Sequence, residues 1–180
     1  MISLHALFWI FVFLFACIGA IRGWAKELLV SFSVVLGLFI ITVLESFIPA
    51  MRDLAAAQSN NTSLFWIRTI ILSILVFFGY QGPNISKLAA TGKFVRERFQ
   101  DVLLGMFLGA FNGFLVFGTI WAFLNSANYP FEMIIAPQIG TPAGDAAIRL
   151  LEFMPPEILV SPWIYIAVAI SFTFVLVVFI

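Results

Sequence analysis

Charge, cysteine and histidine are all scarce in this chain, and each scarcity removes a class of function. Nine acidic and nine basic residues among 180 leave 10% of the chain charged, against about 25% in soluble domains. The formal balance of zero says little about partners, since placement of charge matters more than its sum in so apolar a chain, and nothing in the sequence suggests nucleic acid. A single cysteine, Cys17, excludes an internal disulfide. Metal sites need several converging histidine, cysteine or carboxylate ligands, and one histidine with scattered acids does not supply them. A Ser-His-acid triad would have to use His5, close to the start of the chain, and no G-x-S-x-G elbow occurs. The glycines at 105 to 113 lie inside an apolar run rather than ahead of a helix, so no phosphate-cradling loop is present. Enzyme chemistry is therefore not expected, and no residue pattern names a cofactor.

Apolar side chains are abundant instead. They make up 63% of the chain, with 22 phenylalanines, where soluble domains hold about 45 to 50%. A soluble globule cannot hide that much apolar surface, so the expected class is all-α, a polytopic helical membrane protein. Five runs are long enough to cross a bilayer: residues 4–21, 28–48, 64–80, 101–124 and 159–180. Together they predict about five transmembrane helices in one small bundle, a single transmembrane domain over 1–180. Arg22 to Glu27 leave room for only a very short turn, so the first two runs should form a hairpin. Pro49 closes the second run and Gly82-Pro83-Asn84 stop the third. A basic stretch, 86–100, precedes the fourth.

Residues 125–158 form an external loop with five prolines and four acids against one arginine. Within it Thr141 can cap a helix that has Pro142 at its first position. Asp145, Arg149 and Glu152 would share one face there, with Ile148, Leu151 and Met154 away from it. That pattern predicts an interfacial amphipathic helix ending at Pro155-Pro156, the alternative being an irregular loop packed on the bundle. Lysine and arginine set the orientation. Arg22, Lys26, Lys87, Lys93, Arg96 and Arg98 fall on one side, with Arg52, Arg68 and Arg149 on the other. Six against three places the basic loops in the cytoplasm, the N-terminus outside and the C-terminus inside. The last run ends without a basic flank, which suggests a further tail, and the absence of a basic segment before Cys17 argues against a cleaved signal or a lipoprotein.

Gly105, Gly109 and Gly113 recur every four residues, so on a helix they leave one stripe free of side chains where another backbone can approach closely. This stripe is expected to be the inner seam of the bundle. A lone charge in hydrocarbon costs about 2.5 to 3.5 kcal/mol on insertion scales and tends to find a partner. Glu45 and Arg68 sit one turn inside the same end of the second and third runs, which predicts an ion pair between them. Arg22, Lys26 and Glu27 crowd into one turn at the opposite end, level with Asp101. An Arg22-Asp101 contact is expected there, with Asp101 favoured at the start of its own helix by the dipole. Asn112, on the glycine helix, suits either an interhelical hydrogen bond or the lining of a pathway.

Arg22-Gly23-Trp24-Ala25-Lys26-Glu27-Leu28, with Gly37 in the next run, resembles the R-G-aromatic-x-x-E signature that follows the first helix of the colicin V production protein (CvpA) family. Asp101-x-x-Leu104-Gly105-x-x-x-Gly109-x-x-x-Gly113 is similar to the fourth-helix motif of the same family. The likeness covers residues 1–124. Ser3-Leu4-His5 stand where members carry an acid, Asn112 stands where a basic residue is common, and the fifth run lies beyond the family's four-helix pattern. The resemblance implies a bacterial inner-membrane protein linked to toxin production or export and to envelope physiology, without catalytic activity. It makes Arg22, Gly23, Glu27, Asp101 and the three glycines structural and assembly positions. The expected role is a scaffold or accessory subunit, with the bilayer and membrane-protein partners or further copies of itself around it. The phenylalanines suit packing against lipid, a bound pigment or partner helices. The alternative is a small transporter or channel whose path would have to use Ser31, Ser33, Thr42, Ser73, Asn112 and Thr119.

Overall fold

The computed structural model describes residues 3–56, 62–81 and 95–179. All regular structure in them is helical, in the order α1 (Leu4–Arg22), α2 (Trp24–Phe47), α3 (Pro49–Ala56), α4 (Thr62–Tyr80), α5 (Val95–Ser126), α6 (Pro142–Leu151), α7 (Pro155–Ile158) and α8 (Trp163–Phe179). Four of these are long and apolar enough to cross a membrane: α1, α2, α4 and the Arg98–Ser126 part of α5. The fifth run is shorter as a helix than its apolar residues suggest. A turn through Ser161 and Pro162 delays α8 to Trp163 and leaves it 17 residues, or about 26 Å at 1.5 Å per residue, against a hydrocarbon core near 30 Å.

Other boundaries also move outward or inward. Helix α2 begins at Trp24 rather than Leu28, because Glu27 is held by Arg22 and Asn112 within the first turn of the helix. Helix α5 begins at Val95, so Asp101 is six residues inside it. Pro49 ends α2 but also opens α3, where its missing N–H costs nothing. The stop at Gly82-Pro83-Asn84 and the basic stretch up to residue 94 lie outside the described residues.

The contacts fix the relative directions. Along α1 and α5 the partners run in opposite order: Gly19 with Gly105, Phe15 with Gly109, Val12 with Gly113 and Phe8 with Gly118. Helices α2 and α4 are likewise antiparallel, with Val30 and Ser33 against Gly79, Gly37 against Leu72 and Glu45 against Arg68. Helix α8 opposes α2 through Phe32 with Phe172 and Phe39 with Tyr165. Helices α2 and α5 run parallel, Trp24 meeting Asp101 and Ser31 meeting Asn112. One end of the packed helices therefore carries Arg22, Trp24, Tyr80 and Asp101, and the other carries Glu45, Arg68 and Ser126.

One expectation about packing changes here. The first two helices do not pair along their lengths: α1 lies on α5, while α2 lies on α4, α5 and α8. Glycine explains the choice. Gly109 brings its own Cα so near α1 that an added Cβ would stand 2.9 Å from Gly19 Cα, an approach of backbone to backbone that a side chain at either position would block. The stripe of 105, 109 and 113 is the seam at which the backbone of α1 comes closest to α5. The main core is built from Val34, Leu38 and Ile41 of α2, Phe65, Leu72 and Val76 of α4, Leu115 and Phe123 of α5, and Ile164 of α8.

The segment after α5 closes one end. Thr141 accepts a hydrogen bond from Gly144 N at 3.1 Å and Pro142 opens α6, as the sequence predicts. The apolar face of α6 is spent on the other helices: Ala147 and Leu151, with the fully buried Met154 just ahead of α7, form a second core with Phe8, Trp121 and Ala122. Asp145, Arg149 and Glu152 remain on the outer side. Before α6, Phe131 packs on Phe65 and Trp66 at ring distances of 5.4 and 5.9 Å. The loop thus crosses from the start of α4 to the start of α1, and the predicted helix α6 is packed as a cap on the other helices.

Candidate functional site

The residues of the two sequence motifs meet at the end opposite the cap. Helix α1 stops at Arg22, and a single residue, Gly23, separates it from α2. Gly23 has φ +85° and ψ 157°, a region that residues with a side chain essentially never adopt. A Cβ there would also stand 2.8 Å from both carboxylate oxygens of Asp101. Having no side chain, Gly23 cannot cap α2, and the first N–H of that helix, on Trp24, is instead accepted by Asp101 Oδ1 at 3.1 Å. Asp101 thus sits at a positive helix end, but that of α2 and not of its own helix. The expected Arg22-Asp101 contact is absent, because capping occupies Asp101 and a nearer acid takes Arg22.

That acid is Glu27, fully buried at 0% exposure in the first turn of α2. Arg22 Nε donates to its Oε1 at 2.8 Å, and Asn112 Nδ2 donates to its Oε2 at 2.8 Å. Asn112, also 0% exposed, donates again to the backbone carbonyl of Glu27 at 2.8 Å and accepts from Ser31 Oγ at 2.6 Å. The remaining Arg22 nitrogens reach the carbonyl of Tyr80 at 3.3 and 3.4 Å. The guanidinium lies 4.4 Å from the centre of the Tyr80 ring, a cation–π arrangement. One cluster so ties together α1, α2, α4 and α5, the four helices long enough to span.

Its chemistry is that of a clamp. The carboxylate of Glu27 has a donor on each oxygen, and Asn112 uses both its amide nitrogen and its oxygen. Low dielectric strengthens such satisfied contacts; the buried hydroxyl of Tyr80 is the member left without a hydrogen-bond partner. No group of three or more His, Cys, Asp or Glu converges among the described residues. His5 is at the far end, its Nε2 accepting from Trp9 at 3.1 Å.

The second predicted pair is present at the capped end. Arg68 Nε and Nη2 donate to the two oxygens of Glu45, at 2.6 and 3.0 Å, with Nη1 on Ser126 Oγ at 3.1 Å. Of the polar residues named for a pathway, Ser33 and Thr42 donate to carbonyls of their own helix, Ser31 is held by Asn112, Ser73 is exposed, and Thr119 is buried with its hydroxyl unpaired.

Sequence reasoning passed over Gly19, Trp24 N–H and Tyr80. Gly19 had a legible signal, its spacing of four from Gly23, which continues the small stripe on the facing helix. Tyr80 had none, since its carbonyl and ring face say nothing in sequence.

Packed apolar helices around a buried, charge-balanced cluster define an α-helical membrane protein. No family model matches the chain, and neither the curated proteins nor the solved structures include a match to it.

Proposed function

We propose that this chain is a non-enzymatic scaffold or accessory subunit of a larger assembly in a bacterial inner membrane, of the colicin V production protein type. In this reading α8 is the fifth span, somewhat tilted or matched by local thinning, and the Arg22 end faces the cytoplasm. The observation that carries it is the saturation of the Glu27 cluster. A carboxylate that handled a substrate or a moving ion would keep a free oxygen or an open side; here both oxygens are held and the residue has no exposed surface. The exposed apolar side chains lie along the outsides of the spans, among them Phe13, Phe77, Phe78 and Phe107, where lipid or partner helices would sit.

The test is extraction of tagged protein from native membranes into lipid-polymer discs, with photo-crosslinking residues at Phe107 and Phe78. A defined second membrane protein crosslinked at either position supports the reading. Recovery of the chain only as a monomer or homo-oligomer, together with solute flux in proteoliposomes that Asn112→Leu abolishes, would establish a transporter instead.

A further inference from the structure

Three exposed tryptophans lie at the capped end: Trp9 in α1, Trp66 in α4 and Trp163 at the start of α8. Lipid-exposed tryptophan collects at the membrane–water boundary, so these three mark one interfacial plane. The segment between α5 and α6 starts and ends at this level. Phe131 stacks edge-on against Trp66, and α6 packs on Phe8, whose ring is 5.2 Å from that of Trp9. Between those anchors Met133 is 94% exposed, Ile139 88% and Ile135 52%. They are not loose ends able to fold back: Phe131 and Ile134 are packed on the main core, and Ile134 N donates to Phe131 O at 2.9 Å, which turns the neighbouring side chains outward.

We propose that residues 131–139 lie in the interfacial layer of the bilayer, with Met133, Ile135 and Ile139 among the headgroup-proximal first methylenes of the acyl chains of one leaflet. Reach supports lipid as the occupant. Met133 is two residues from Phe131 and Ile139 two residues from Thr141, and two residues extend at most about 7 Å. The interfacial layer of each leaflet is about 5 to 8 Å deep, the difference between a core near 30 Å and a bilayer of 40 to 45 Å. These side chains therefore cannot leave that layer by much in any direction. Apolar groups held there are stabilised by burial in lipid, and left in water they would be an exposed patch without purpose. Glu132, the one acid within the segment, is exposed, so its carboxylate can turn to the headgroups and water; Glu152, just past α6, is exposed as well, and Asp145 accepts from Gly140 N at 2.9 Å.

Met133→Cys and Ile139→Cys, each in a Cys17→Ser background, test this alongside Arg149→Cys as the hydrated reference. None of these side chains at 133, 139 or 149 is packed, so folding is checked simply by monodisperse elution. Purified protein in phosphatidylethanolamine–phosphatidylglycerol vesicles is treated with a charged maleimide present on both sides. Labelling at 133 and 139 is expected to be at least tenfold slower than at 149, with a fluorophore at 133 quenched by brominated lipid. Rates within twofold of the reference would place the segment in water and overturn the proposal. Slow labelling in native membranes that becomes fast in the purified vesicles would mean that a protein covers it, and would also overturn it.

Discussion

Glu27→Gln is the substitution that tests the cluster most directly, because it changes one atom's chemistry and almost no volume. Both donors aimed at residue 27, Arg22 Nε and Asn112 Nδ2, are 2.8 Å from separate oxygens, and a carboxylate is the only side-chain group with two acceptors and no donor. A glutamine offers one oxygen and one NH2, so one donor must face another donor. The loss combines a charge-assisted hydrogen bond, about 1.5 to 3 kcal/mol, with an orphaned buried donor, about 1 to 3 kcal/mol. Arg22 is 23% exposed and keeps its Tyr80 carbonyl, which lets water soften the loss, so the expected total is about 3 kcal/mol. Adding Asn112→Asp restores a matched set: the new amide at 27 donates to the carboxylate at 112 and accepts from Arg22, while Ser31 still donates. The Glu27 carbonyl loses the donor it has from Asn112, so about half the stability should return. Reversible unfolding in mixed lipid–detergent micelles, titrated with dodecyl sulfate and followed by circular dichroism, measures all three proteins. A single variant within about 1 kcal/mol of the parent, or a double variant weaker than both single ones combined, would refute the two-acceptor argument.

Gly109→Ala should cost more than Gly118→Ala in the same titration, by roughly 1 to 3 kcal/mol of overpacking. The first methyl meets backbone atoms of Phe15 and Gly19, whereas the second meets side-chain atoms, Met154 Sδ and Pro155 Cδ, of which the methionine can change rotamer; equal costs would be contrary to the seam. Charge reversal at Glu45 or Arg68 singly should cost about 1 to 3 kcal/mol for this partly shielded pair, and the double swap should recover at least half, read as a double-mutant cycle. Tyr129 gives a pH dependence. Burial raises its phenol above the usual 10, against the opposing hydrogen bond from Trp121. The folded state therefore holds this proton more tightly than the unfolded one, so stability is intact below pH 10 and falls as pH rises from 10 through the raised value. Tyr129→Phe should flatten that alkaline decline in a denaturation series, and an unchanged slope would remove Tyr129 as its source.

Much of this arrangement is legible without coordinates. Apolar runs of bilayer length can only be helices, since no other open structure satisfies its backbone in lipid, and charges within such runs require partners, which is why Glu45 could be matched to Arg68 at equal depth. The four-residue glycine spacing announces a close approach. It does not announce the partner: Gly19 and the Phe15 backbone, on α1, occupy the stripe, and a sequential hairpin of α1 with α2 is displaced by that tighter fit. Arg22 illustrates the same limit. Its proximity to an acid follows from spacing, but the sequence offers both Glu27 and Asp101; in the structure Asp101 accepts from Trp24 N–H and Glu27 receives the guanidinium.

By itself, then, the order of residues determined that this chain is helical and made for lipid, where most of its crossings lie, and which polar groups had to be satisfied, because hydrophobicity, helical period and the cost of bare charge are local properties. Tertiary structure alone decided which helix takes which neighbour, that α6 caps the other helices, and that Glu27 and Asn112 close a network across four helices. Those outcomes depend on competition between surfaces distant in sequence, where a few tenths of an ångström at a glycine or one spare acceptor settles the pairing.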